Sequence, residues 1–358
     1  MEHSEGTGVL HERYDWLDQA RGLVVLLLIV SMPTAEFSGD VLTGDPTLGP
    51  PMLNHGYDYF DAYPPIITFI DIGQALFMLV MGFVGYTAFT SRLKKRGPRA
   101  AFWYGFRRVS VLYALASIDS LFLPLLEKGR CEWDNFLYKG TFSMIAFGAM
   151  ASFVCTVLVP NADKRIRIGV LLMLVHSLLY AFPLFDRHTW ADNLLNLPHF
   201  PFGLLGLTAV AIAGGCYGQW HVMDPENPIA GFQKRIVPIS SAAFVGAYCM
   251  DWMQPAQHHD VNASLQLQAL YMGGFMLMIF FAFGRVGFRF PLLSSLGKNL
   301  LLMFAVGGLG TSIYVSLLPK SLLLESPFLA MTLAGIVPIA VLSYAAVWLD
   351  RRGIMVRA

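Results

Sequence analysis

The chain is short of charge. Asp, Glu, Lys and Arg make up 14% of its 358 residues, where a water-soluble domain carries about 25%, so there is too little polar surface to solvate a large globular body. Cysteine is scarce as well. Cys131, Cys155, Cys216 and Cys249 show no C-x-x-C or Cys/His spacing, which argues against a structural zinc site, a redox pair or a disulfide framework. No G-x-S-x-G elbow, no phosphate loop ending in G-K-[ST] and no G-x-G-x-x-G behind a strand is present. Those absences remove the commonest hydrolase, nucleoside-triphosphatase and dinucleotide-binding readings. Long polar segments are missing too, the longest being 38–64. No separate soluble domain is expected, and residues 1–358 read as one integral-membrane domain. The net charge is only +1, and the basic residues lie beside apolar stretches, so no nucleic-acid partner is expected.

What the chain has in abundance is apolar length. Hydrophobic residues make up 55% of it, and the mean hydropathy is +0.54. About 20 apolar residues span the roughly 30 Å hydrocarbon core of a bilayer. Backbone amides in lipid must bond within their own segment, which makes each such stretch a helix. The pattern predicts an all-α polytopic membrane protein with about ten transmembrane helices, over 17–37, 65–89, 109–126, 141–160, 168–185, 200–220, 236–253, 265–283, 293–318 and 328–349. Of the 25 Lys and Arg residues, 19 fall beside alternate ends of these stretches, in groups such as Arg92–Arg108, Lys164–Arg167 and Arg285–Arg289. Basic residues stay on the cytoplasmic side, so both termini are expected there. That requires an even number of spans. The first stretch has no small-residue cleavage site and carries Pro33 and Glu36 near its outer end, which argues against a cleaved signal. The basic segment 92–108, with Phe102, Trp103 and Tyr104 inside it, predicts a short interfacial helix against anionic headgroups.

Candidate chemistry comes from polar residues in apolar places. The outer loop 38–64 holds Asp40, Asp45, His55, Asp58 and Asp61 among Tyr57, Tyr59, Phe60 and Tyr63, with no Lys or Arg. Rings beside acids and a histidine suit a sugar or other polar substrate, and an interfacial belt of Tyr reads the same way. Ionisable groups inside spans are functional suspects: Asp71 with Gln74 one turn inward, Asp119, His176, Asp251 and Lys298. Asp18 and Arg21 are three apart, hence on one helix face. His258-His259-Asp260 lacks the further ligand that a metal site needs.

Two segments carry a resemblance. RYDWLDQARGLVVLLLIVSM (13–32) and FIDIGQALFMLVMGFVGYTAF (69–89), the latter followed by a basic loop and FRRVSVLYAL, resemble the opening of the transmembrane acyltransferase superfamily. The likeness is greatest to its heparan-α-glucosaminide N-acetyltransferase branch. Asp18, Arg21 and Gly22 match the first element of that branch, and Asp71, Phe77 and Gly82 the second. FPFGLLGLTAVAIAGGCYGQW resembles its glycine-rich span, and SLGKNLLLMF its G-[KR]-N-[AL]-L segment, with Asn299 the matching polar residue. The branch has its catalytic histidine shortly before the Asp of span two; here the histidine of that loop is His55, 16 residues before Asp71.

The resemblance implies acyl transfer from cytoplasmic acetyl-CoA or another acyl-CoA to an extracytoplasmic glycan or related acceptor. His55 would be the general base, with Asp71 holding its tautomer; Glu36 with Asp71 is the alternative pair. Arg21, Arg107, Arg108, Lys298 and Asn299 would hold the CoA, the cations by pairing with its phosphates. No metal is implied. Membrane lipid is the remaining partner, a homo-oligomer is left open, and the location would be a bacterial inner membrane. The rival reading is a non-enzymatic transporter of a small polar solute or anion, with Asp119, His176 and Asp251 as its pathway.

Overall fold

The computed structural model describes residues 14–36, 69–129, 141–181, 202–223, 227–254, 256–257, 260–319, 329 and 331–355. Among them every regular element is helical. We number them α1 (Asp15–Glu36), α2 (Phe69–Lys128), α3 (Thr141–Leu158), α4 (Ala162–Ala181), α5 (Phe202–Val222), α6 (Pro228–Met253), α7 (Ala263–Arg285), α8 (Pro291–Lys298), α9 (Leu300–Ser316) and α10 (Val337–Arg351). Among the described residues, four segments are long and apolar enough to cross a membrane: Asp71–Ala114 within α2, α5, α6 and α7.

On two helices, α4 and α6, burial runs opposite to that of a water-soluble bundle. In α4 the buried residues are Ala162, Arg165, Gly169 and His176, while Leu171, Leu174 and Leu178 are more than half exposed. In α6, Phe244, Val245, Tyr248 and Trp252 face outward in the same way. Water would penalise such faces; lipid does not, because hydrocarbon is as apolar as Leu.

Helix α5 is the centre. It is buried on nearly every side and packs against α2, α3, α4 and α7, which accounts for its lack of an apolar stripe. Its glycines set the approach distance. A Cβ at Gly214 would lie 2.0 Å from the Leu79 carbonyl oxygen of α2, and one at Gly82 would lie 2.1 Å from the Ala211 oxygen. Small residues let helix backbones touch in this way, so the glycine run 214–218 is a packing seam. A second seam joins α1 to α8: a Cβ at Gly22 would meet Leu293 O at 1.8 Å, and one at Gly297 would meet Asp18 O at 1.8 Å.

Several boundaries depart from expectation. At about 1.5 Å per residue, a straight α2 would be far longer than a bilayer is thick. It breaks at Gly97 (φ 80°, ψ 174°), a conformation essentially reserved for glycine, and Pro98 follows. The Arg92 guanidinium carbon lies 3.5 Å from the centre of the Tyr104 ring, although twelve residues of straight helix span about 18 Å. The two arms therefore fold back on each other. Residues 92–108 form their facing ends, and not a separate interfacial helix. The stretch expected as one span over 293–318 is split at Asn299 (φ −111°, ψ 31°) into α8 and α9. Helix α4 starts at Ala162, six residues before the expected 168, because Asn161 Oδ1 accepts from Lys164 N at 3.0 Å as its N-cap.

Helices α6 and α10 share a device. The same tripeptide, Ile-Val-Pro, occurs at 236–238 and 336–338, and a π turn precedes each (Phe232–Ile236 and Met331–Ile336). Proline has no N–H to return to the preceding turn, and the helix widens locally to absorb the loss.

Candidate functional site

The fold-back of α2 creates a cavity of about 130 Å³. Its walls come from both arms of α2, from α3, from Ala211 of α5, and from Arg21 of α1 and Leu300 of α9. Phe77, Val80, Val84, Phe89, Leu112 and Phe153 make most of the wall apolar, and Tyr86, Tyr104, Ser152 and Thr156 add hydroxyls. Among the described residues, two charged side chains line it, Arg21 and Arg108, and no carboxylate does. In a low-dielectric wall, a guanidinium group attracts an anion more strongly than it would in water. The walls therefore offer apolar surface and guanidinium donors side by side.

Arg108 is the better placed of the two. Its Nη1 donates to Tyr104 Oη at 3.1 Å, and no carboxylate among the described residues pairs with it. Arg92 closes the other arm onto the same tyrosine ring. Arg21 donates to Asp18 Oδ1 at 3.0 Å, and Asp18 is buried, so part of the Arg21 charge is already balanced.

The other expected contacts lie elsewhere. Arg107 is exposed on the outer face of its arm and is not a lining residue. Lys298 Nζ donates to both oxygens of Asp350, at 2.8 and 2.9 Å, and Ser295 Oγ donates to Oδ2 at 2.8 Å. The pair ties α8 to α10. Asn299 is fully buried, and its Nδ2 donates to Ile354 O at 3.3 Å; it fastens the α8–α9 break to the C-terminal segment. Asp71 is buried in the first turn of α2, with Gln74 also buried one turn on. Neither lines the cavity. His55 and the segment 38–64 lie outside the described residues, as do His258, His259 and Cys131.

The polar residues of the rival pathway are separately bonded. His176 Nε2 lies 2.8 Å from Asp260 O. Asp251 accepts from Ser264 Oγ and takes Gln268 Nε2 on both oxygens, at 3.1 and 2.9 Å. The Asp119 side chain lies outside the described residues.

Arg165 is the residue that counting by side misplaces. It counts there as a loop cation, yet it is fully buried. Nη1 donates to Val159 O at 3.1 Å, and Nη2 donates to Gln219 Oε1 at 2.8 Å and Gly215 O at 3.3 Å. It thereby caps the carbonyl end of α3, where a cation is favoured, and stands 5.0 Å over the ring of Tyr86 in the cavity wall. Its spacing from Gly169 and His176 on one helix face was the available signal.

Compared with known proteins, the chain matches no protein-family model and no curated protein.

Proposed function

We propose that the chain is a membrane acyltransferase of the transmembrane acyltransferase kind, moving an acetyl or similar group from acyl-CoA to an extracytoplasmic glycan or related acceptor. The observation that carries this reading is the cavity behind the α2 fold-back, with the guanidinium groups of Arg21 and Arg108 set in largely apolar walls. An acyl-CoA carries both chemistries, a multiply anionic head and a long, less polar thioester arm, and a cavity of about 130 Å³ would hold one part of it. Arg108 and Tyr104 would take phosphate oxygens, where guanidinium geometry favours bidentate contact. The reading includes ten spans, both termini in the cytoplasm and a bacterial inner membrane, which put the basic mouth on the side where acyl-CoA is made.

In this scheme His55 removes a proton from the acceptor hydroxyl or amine as it attacks the thioester carbonyl, and Asp71 orients the imidazole. The thiol of CoA leaves. The test is turnover: proteoliposomes given acetyl-CoA and a panel of amino sugars and glycans should release CoA thiol. General-base catalysis supplies about 10²–10⁴-fold, so His55→Ala should lower the rate by that order with acetyl-CoA binding intact. A His55→Ala protein that turns over like wild type removes His55 from the scheme. No release of CoA thiol with any acceptor, combined with no CoA binding, favours the transporter of a small polar solute or anion.

A further inference from the structure

The second arm of α2 has two faces, and the cavity uses only one. Tyr104, Gly105, Arg108 and Leu112 line the cavity. On the opposite side Arg99, Phe102, Trp103, Phe106, Arg107 and Ser110 are all exposed, at the three- and four-residue spacing of a single helical stripe. Trp103 is 55% exposed. Its ring lies 5.6 Å from that of Phe106, and Phe102 and Phe106 stack at 6.2 Å with 19° between planes. Across the Gly97 turn, Lys94, Lys95 and Arg96 are exposed as well. No Asp or Glu occurs anywhere between Asp71 and Asp119. A Cβ on Gly97 would meet no atom within 4 Å, so the tip of the turn stands clear of the helices behind it.

We infer that this turn is a recognition surface for anionic phospholipid. Three clustered rings exposed to water are unfavourable, and at headgroup depth they are the interfacial belt of a membrane protein. Four cations around them, Lys94, Lys95, Arg96 and Arg99, have no acid of their own stretch to face, so their complement is the negative leaflet. The depth agrees: from Phe69 to Phe89 the first arm rises about 30 Å, the thickness of the hydrocarbon core, which puts the residues that follow at the headgroups. Because the same arm is the cavity wall on its other side, this lipid contact sits directly behind Tyr104 and Arg108. The inference does not depend on acyl transfer.

The test uses the full chain in phosphatidylcholine vesicles containing a minority of phosphatidylglycerol. Spin-labelled probes of each lipid report which one the protein retains. Each basic residue near an anionic surface is worth about fivefold in local partition, so wild type should prefer phosphatidylglycerol, and Lys94→Gln/Lys95→Gln/Arg96→Gln/Arg99→Gln should lose most of that preference. The charge-keeping swap Lys94→Arg/Lys95→Arg/Arg96→Lys/Arg99→Lys should retain it. Raised salt should erode it in wild type, since exposed charges are screened beyond about 10 Å at 0.1 M. No preference in wild type, which would leave the surface to an acidic protein partner, overturns the inference. So does a preference that survives the four Gln substitutions, fails in the swapped variant, or ignores salt.

Discussion

Gly297 and Lys298 are neighbours governed by different forces. Gly297 is fixed by contact, its missing Cβ leaving room for the Asp18 carbonyl. Inserting side-chain atoms into a packed site costs about 1–3 kcal/mol, and here the obstacle is backbone, which cannot swing aside. Gly297→Ala should therefore lower the thermal unfolding midpoint in detergent by several degrees or abolish folded protein; an unchanged midpoint would contradict the seam. Lys298 is fixed by charge. Its pair with Asp350 is about a quarter exposed on both sides, which discounts its strength towards that of a surface bridge, about 1 kcal/mol. A double-mutant cycle of Lys298→Met and Asp350→Asn should give a coupling of that size, with acetyl-CoA affinity unchanged in Lys298→Met. Depth along the sequence named Arg21, Arg107, Arg108 and Lys298 together as cations near one mouth. It could not separate them, because position along a helix does not say which face a residue occupies or which acid from a distant helix reaches it.

At the scale of the element, the decisive feature is the break at Gly97. It converts one very long helix into two arms with a cavity between them, and Arg92 over Tyr104 holds the arms together. A residue with a Cβ in that backbone region costs about 1–3 kcal/mol. Gly97→Ala should relieve this by letting the arms splay, weakening acetyl-CoA binding while the helix content seen by circular dichroism stays constant; binding of wild-type strength would show that the turn does not set the mouth. The two apolar runs of α2 were legible in the sequence because their length alone specifies them. Helix over the basic residues was expected too, but as a separate interfacial piece; that it continues both spans and breaks only at Gly97 was not legible, since charge suggests a boundary while Lys and Arg are good helix formers. The split at Asn299 was hidden for another reason: the apolar run 300–304 follows it directly, and the Asn299 contact that fastens the break is to Ile354, distant in sequence.

For the whole molecule the pattern is an apolar core with apolar side chains also on the outer faces of α4 and α6. Arg165 and His176 are inside and Leu171, Leu174 and Leu178 are outside, which is what a lipid solvent selects. Composition made this legible, as hydropathy and charge are summed over the chain and need no contacts. The alternation of Lys and Arg goes further and predicts that a reporter fused after Ala358 reads as cytoplasmic; an extracytoplasmic signal would break the ten-span topology. The ligand is a matter of geometry at one place, and it is there that the account is most exposed. Titrating the purified full-length protein with acetyl-CoA by calorimetry tests it directly. The account predicts saturable binding that weakens about 10- to 100-fold in Arg108→Gln, the worth of one hydrogen bond to a charged group of about 1.5–3 kcal/mol. No binding by wild type, or the same affinity in Arg108→Gln, would contradict it.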